Sequence, residues 1–217
     1  MADQIKTKTK RPYDSSRRHA RARETQREIV EAARRLFMER GYTGTTIEQI
    51  AQEAGVAVET LYATFGSKRA VLTRLVGISV VGDDEPVPLL ERPGPQAVRR
   101  EPDQHHQVGI FAHDMREIMG RMGPIFGIMR TAAETEPDIA ELLGGILQNR
   151  LQGITQFIRW LAANGPLRGG LTVEDAAETT WTISSAEVHQ LLTVDRGWSD
   201  ERYEAWLRDT LTRLLLD

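Results

Sequence analysis

The chain has 217 residues, no cysteine and a formal net charge of −3, which excludes disulfides, thiolate metal centres and thiol nucleophiles and fits a reducing compartment. No apolar run approaches the roughly 20 residues that a membrane-crossing helix needs, and no signal-type apolar core follows the basic N-terminus, so a cytoplasmic protein without a membrane span is expected. The charge is unevenly spread: residues 1 to 76 carry 15 Lys and Arg against 9 Asp and Glu, and the remainder carries 13 against 22. A basic front on an acidic body suits contact between the front alone and a polyanion.

Residues 1–21 are polar and lack apolar periodicity, which predicts a flexible basic arm carrying Lys10, Arg11, Arg17, Arg18 and Arg21. From Arg23 to Arg40, Ile29, Ala33, Leu36 and Phe37 recur at helical spacing, and Gly41 follows as a C-terminal cap. In "TTIEQIAQEAG" Thr45 and Glu48 have capping-box spacing, and Ile47, Ile50, Ala51 and Ala54 form one face before a turn at Gly55. A third helix is predicted from Ala57 to Phe65, with Val58, Leu61 and Phe65 on neighbouring turns. Ser67 is placed to cap a fourth, which is extended through Leu75–Gly82 for want of any strand partner.

Residues 82–102 hold five of the nine prolines and read as a partly disordered connector. Beyond it, Phe111, Met115, Met119, Met122, Phe126 and Met129 lie on two helical segments divided at Gly123-Pro124. A long amphipathic helix begins at Pro137 and ends at "NGPLRGG". Two more follow, over 173–195 and 200–216, each bearing a Trp. No segment reads as a strand, so the fold class is all-α.

Two short helices around Gly55 match a helix-turn-helix, in which the second helix enters a DNA groove while the first braces it. Spacing alone leaves open a helical hairpin with Tyr62 in the core. The segment "GYTGTTIEQIAQEAGVAVETLYATFGSKRAVL" closely resembles the N-terminal DNA-binding domain of the TetR family of transcriptional regulators, over about residues 22–75. The resemblance implies a three-helix helix-turn-helix domain (22–75), a connecting segment (76–102), and a C-terminal helical ligand-binding and dimerisation domain (103–217). It implies phosphate contacts from Thr46, Tyr62 and Lys68, and base-edge contacts from Val58, Glu59, Thr60 and Ala63. The Thr64 hydroxyl is a further phosphate donor. Ala57 departs from the serine common among relatives, so the recognition helix lacks a capping side chain.

The Met and Phe group is the predicted wall of a small-molecule pocket, because thioethers adapt to varied apolar shapes. His113, Trp181 and His189 are its candidate polar contacts. His105, His106 and His113 lie in no recognised metal-ligand frame, and no metal or cofactor is expected. The function that follows is a homodimeric, ligand-responsive repressor of a palindromic operator. An activator or a sequence-tolerant DNA-coating protein of the same fold are the alternatives. An enzyme is not expected; the alternative from another class is a helical enzyme with no recognisable motif, since no G-x-S-x-G elbow, Walker loop, H-E-x-x-H or dinucleotide fingerprint is present.

Overall fold

The computed structural model describes residues 15–217. Within them α1 (Ser15–Arg40), α2 (Ile47–Glu53) and α3 (Val58–Phe65) form the N-terminal unit, and α4 (Lys68–Val81) leads out of it. A 3-10 turn at Leu89–Glu91 precedes α5 (Pro93–Arg100), α6 (Gln104–Ala133) and α7 (Pro137–Asn164). Then come α8 (Val173–Ile183), α9 (Ala186–Gln190), a π-helical turn at Leu191–Asp195 and α10 (Asp200–Leu215). There is no strand among the described residues, and no helix there is long and apolar enough to cross a membrane.

Several elements differ from the sequence reading, each for a physical reason. Helix α1 starts at Ser15, within the segment expected to be a flexible arm. Residues 15–22 are Ala, Arg, Ser and His without Gly or Pro, so propensity carries a helix there. Lys10 and Arg11, with the side chains of Arg17 and Arg18, lie outside what is described, and Arg21 is exposed on α1.

The capping box is shifted by one residue. Thr46, not Thr45, caps α2: its Oγ1 accepts from the Gln49 amide at 3.3 Å while Gln49 Oε1 accepts from the Thr46 amide at 3.0 Å. Thr45 turns inward and donates to the Gly41 carbonyl at 2.8 Å and the Leu36 carbonyl at 3.3 Å, taking up acceptors at the end of α1. Gly55 (φ 68°) and Gly66 (φ 76°) make the turns on either side of α3 in a left-handed conformation that a side chain would strain.

The expected loop over 82–102 is ordered. Arg92 forms a two-pronged pair with Asp83 at 2.6 and 2.7 Å, Asp84 takes a similar pair from Arg27 of α1, and Pro93 opens α5 in the first-turn position proline favours. Val98 of α5 is buried, and Gln107 of α6 donates to its carbonyl.

Pro124, expected to start a new helix, lies inside a continuous α6. A proline inside a helix costs about 3 kcal/mol. Here Ile118, Met119 and Met122 before it and Ile125, Phe126 and Met129 after it are buried on one face, which offsets that loss. Residues 173–195 are not one helix: α8 ends at Ile183, and Ser185 caps α9 by accepting from the Val188 amide.

One apolar cluster runs from the N-terminal unit through α4 into α6 and α7, joining Ile29, Phe37, Ile50, Leu61 and Leu72 to Met119, Met122 and Ile139. A second holds the far end, where Phe111 and Phe157 stack at 4.1 Å and α10 buries Tyr203, Leu207, Leu211 and Leu215. Most of the α10 stripe is therefore consumed within the chain, leaving Leu214 outside with Leu191 and Val194 of the π-helical turn.

Gly44 tightens the α1–α2 loop, since a Cβ there would lie 2.4 Å from the Arg40 carbonyl oxygen. Gly44→Ala is expected to lower stability by about 1–3 kcal/mol through overpacking against backbone that cannot yield locally, read as a fall in the thermal unfolding midpoint.

Candidate nucleic-acid interface and the cavity behind it

Helix α3 presents two faces. Leu61 is wholly buried, and Val58 and Phe65 pack on the same cluster, so these three hold the helix down. Glu59, Thr60, Tyr62 and Ala63 point outward, with Tyr62 47% exposed, which is unusual for a tyrosine whose neighbours form a core. Val58, expected at a base edge, is thus half-buried against the core. Ala57 gives α3 no capping hydrogen bond, as its side chain dictates. Glu59 in the first turn faces the positive end of the helix dipole.

The Thr64 hydroxyl donates to the Thr60 carbonyl at 2.7 Å, so its proton is not offered to a phosphate in this conformation. Thr46 is exposed at the start of α2, its oxygen accepting the capping bond and its hydroxyl beside the Glu48 carboxylate, whose pKa it helps to lower. Both it and Tyr62 can donate to a phosphate oxygen.

Lys68 has a different environment from the one its position in the sequence suggests. Its Nζ donates to the Tyr42 carbonyl at 2.9 Å and the Thr45 carbonyl at 2.8 Å, and stands 4.1 Å from the centre of the Tyr42 ring. Burial pulls its pKa down, with Glu136 and Asp138 opposing. The side chain fastens the start of α4 to the α1–α2 loop, and two of its three ammonium protons are spent inside the protein.

Behind this surface, α4, α5, α6 and α7 line a partly open cavity of about 920 Å3. Helix α4 contributes Val76, Gly77, Val80 and Val81 to its wall. Of the residues expected to line it, Phe111, Met115, Met119, Met122 and Phe126 do so. Four do not. Met129 is fully buried in the core, and His113 lies exposed on the outer side of α6, bonded to Glu204 at 3.2 Å. His189 packs edge-on to Tyr203 at 4.7 Å, where burial depresses its pKa. Trp181 lines a separate recess of about 210 Å3 towards α8 and α9.

The cavity also receives Asp114, Arg150 and Trp160, which the sequence reading missed. Asp114 accepts no hydrogen bond among the described residues, and burial raises its pKa. At the floor of α4, Arg121 of α6 donates to the Ser79 carbonyl at 2.9 Å and the Val80 carbonyl at 3.3 Å, closing the C-terminal end of that helix with a cation.

A short exposed helix braced by a second, followed by a helix that walls an internal cavity, defines a helix-turn-helix DNA-binding regulator with a helical companion domain. Residues 29–75 match the family model described as "Bacterial regulatory proteins, tetR family". The chain is 27% identical over 175 residues to the HTH-type transcriptional repressor BepR of Brucella suis biovar 1 (strain 1330), covering 79% of this chain and 80% of that one. It superposes with a TM-score of 0.68 on NalD, described as the secondary repressor of the MexAB-OprM multidrug efflux pump in Pseudomonas aeruginosa, at 19% identity over 91% of this chain and 98% of that one. It superposes with a TM-score of 0.65 on a protein described as a transcriptional regulator from Saccharomonospora viridis, solved in complex with choline, at 21% identity over 89% and 98% of the two chains. Residues 29–75 are therefore a TetR-family DNA-binding domain, and the chain as a whole resembles TetR-type regulators.

Lys68→Met leaves two backbone carbonyls without their donor. A loss of about 1–3 kcal/mol in stability is expected from that, with little change in the salt dependence of DNA binding. A lysine acting only on phosphate would show the reverse, a slope smaller by about one ion and an unchanged unfolding midpoint.

Proposed function

We propose that the protein is a repressor released from its operator by a small molecule, with residues 22–75 as the DNA-binding unit and 103–217 as the effector and dimerisation domain. The observation that carries this reading is α4: it starts at the Ser67 cap immediately after α3, shares the α1–α3 core, and supplies a wall of the cavity. A molecule filling the cavity touches Val76, Val80 and Val81, and a tilt of α4 is transmitted to the recognition helix.

Thr46 and Tyr62 are assigned to phosphates, and Glu59, Thr60 and Ala63 to base edges. One eight-residue helix reads few bases, so specificity calls for a symmetric pair with its two α3 helices about 34–36 Å apart in consecutive major grooves. Helices α8 and α10 together with exposed Leu191, Val194 and Leu214 form the surface assigned to the pairing. The repressor name of BepR and the description of NalD support repression as the output. The choline complex of the Saccharomonospora viridis protein supports a small-molecule effector.

Footprinting on the DNA flanking the gene is expected to show a palindromic protected site that candidate effectors abolish; a protein coating DNA without sequence preference would leave no bounded footprint. Tyr62→Phe should weaken operator binding by about 1–3 kcal/mol per subunit, the value of a hydrogen bond to a charged acceptor, with no shift in the unfolding midpoint. Effector affinity measured with and without operator should differ by the same factor as operator affinity with and without effector. Equal effector affinities would reject the coupling.

A further inference from the structure

The 920 Å3 cavity has a cationic end. Arg150 of α7 lines both it and the smaller recess beside Trp181. Its Nη2 donates to two neutral groups, the Trp181 carbonyl at 2.9 Å and the Ser184 hydroxyl at 2.8 Å, while Nε is buried without a partner among the described residues. Glu187, the carboxylate whose charge acts on it, is held by Arg130. Burial lowers the guanidinium pKa to about 10, so it stays positive at neutral pH. A largely buried cation with no carboxylate against it is unfavourable unless something supplies one. Trp181 Nε1, His189 Nε2 and Tyr203 OH are likewise buried without partners on the helices around it.

Beyond Arg150 the wall is mostly apolar, with Met119, Met122, Phe126, Ile146 and Ile154, and its α7 side also carries Gln152, Gln156 and the exposed Arg159. The carboxylate of Asp114 is at the opposite end, packed against Gly94 of α5. From Asp114 to Phe126, beside Arg150, is about 18 Å along α6, and from Arg150 to Trp160 about 15 Å along α7, at 1.5 Å per residue. The space is long, and most of its lining is hydrocarbon and sulfur.

The geometry points to an elongated apolar acid as the effector, its carboxylate on the Arg150 guanidinium and its hydrocarbon chain running between α6 and α7 towards Trp160. This rests on the reading of the cavity as the effector site and adds the chemical class. A guanidinium is matched to a carboxylate in shape and charge, and the exchange relieves the uncompensated cation as the chain leaves water.

Isothermal titration calorimetry of the full chain with decanoate, decanol and decyltrimethylammonium tests it. Decanoate is expected to bind roughly tenfold or more tighter than decanol, the margin of a charge-assisted contact over a neutral one. That margin should vanish in Arg150→Met while decanol affinity is kept. The wild-type comparison stands without the variant, should the variant fail to fold. Equal affinity for decanoate and decanol, a preference that survives Arg150→Met, or tighter binding of decyltrimethylammonium each overturns the acid head group and leaves the effector cavity intact. Absence of binding by all three overturns the proposal together with the cavity's assignment.

Discussion

Burial of α4 on two sides is the constraint on which the rest of the structure depends. Val71, Leu72, Leu75 and Val76 are buried in a cluster that contains Ile29, Phe37 and Leu61 on one side and Met119, Met122 and Ile139 on the other. A helix that belongs to two cores at once cannot move against either without repacking, because close-packed interiors respond by discrete rearrangement more than by gradual deformation. The helix that packs on the helix-turn-helix through Val71, Leu72 and Leu75 therefore also bounds the cavity, through Val76, Gly77, Val80 and Val81.

Arginines reinforce that arrangement at backbone and surface. Arg121 holds the carbonyls at the end of α4 from α6, Arg34 of α1 donates to the buried Ser79 hydroxyl at 3.1 Å, and Arg27 and Arg92 pin Asp84 and Asp83 beyond the helix. The aspartates are held below the ordinary carboxylate range by these guanidiniums, Asp83 at about 2. Asp83 is about half exposed, so its pair with Arg92 does more to fix the path of the chain into α5 than to add stability. Lys68 plays the corresponding part at the start of α4. A residue predicted as a DNA contact is thus first a fastener of the recognition unit, and Thr46, Tyr62 and the exposed side of α3 remain as the groups proposed to meet DNA.

The cavity joins two chemistries. Its α4 and α6 walls are aliphatic, aromatic and thioether, which favours an apolar occupant of adaptable shape. Its buried charged groups are separated, Arg150 towards α8 and Asp114 towards α5, while Glu91 and Arg159 line it from exposed positions.

The sequence alone determined what is local. Caps, turn glycines and apolar positions three or four apart lie within a few residues of one another, so α2, α3, the Ser67 cap and the run of α4 to Val81 were legible, as were the faces of α3. Five of the aromatic and methionine positions on the cavity were legible too, because they share a helical face. Tertiary structure decided the rest. Lys68 finds its acceptors 23 and 26 residues away, and Arg150 finds its own 31 and 34 away. Long flexible side chains choose partners according to how helices cross, and that leaves no periodic trace. The same holds for Pro124, whose penalty is outweighed only by burial that neighbouring helices provide, and for the α10 stripe, whose periodicity is the same whether it meets its own chain or another.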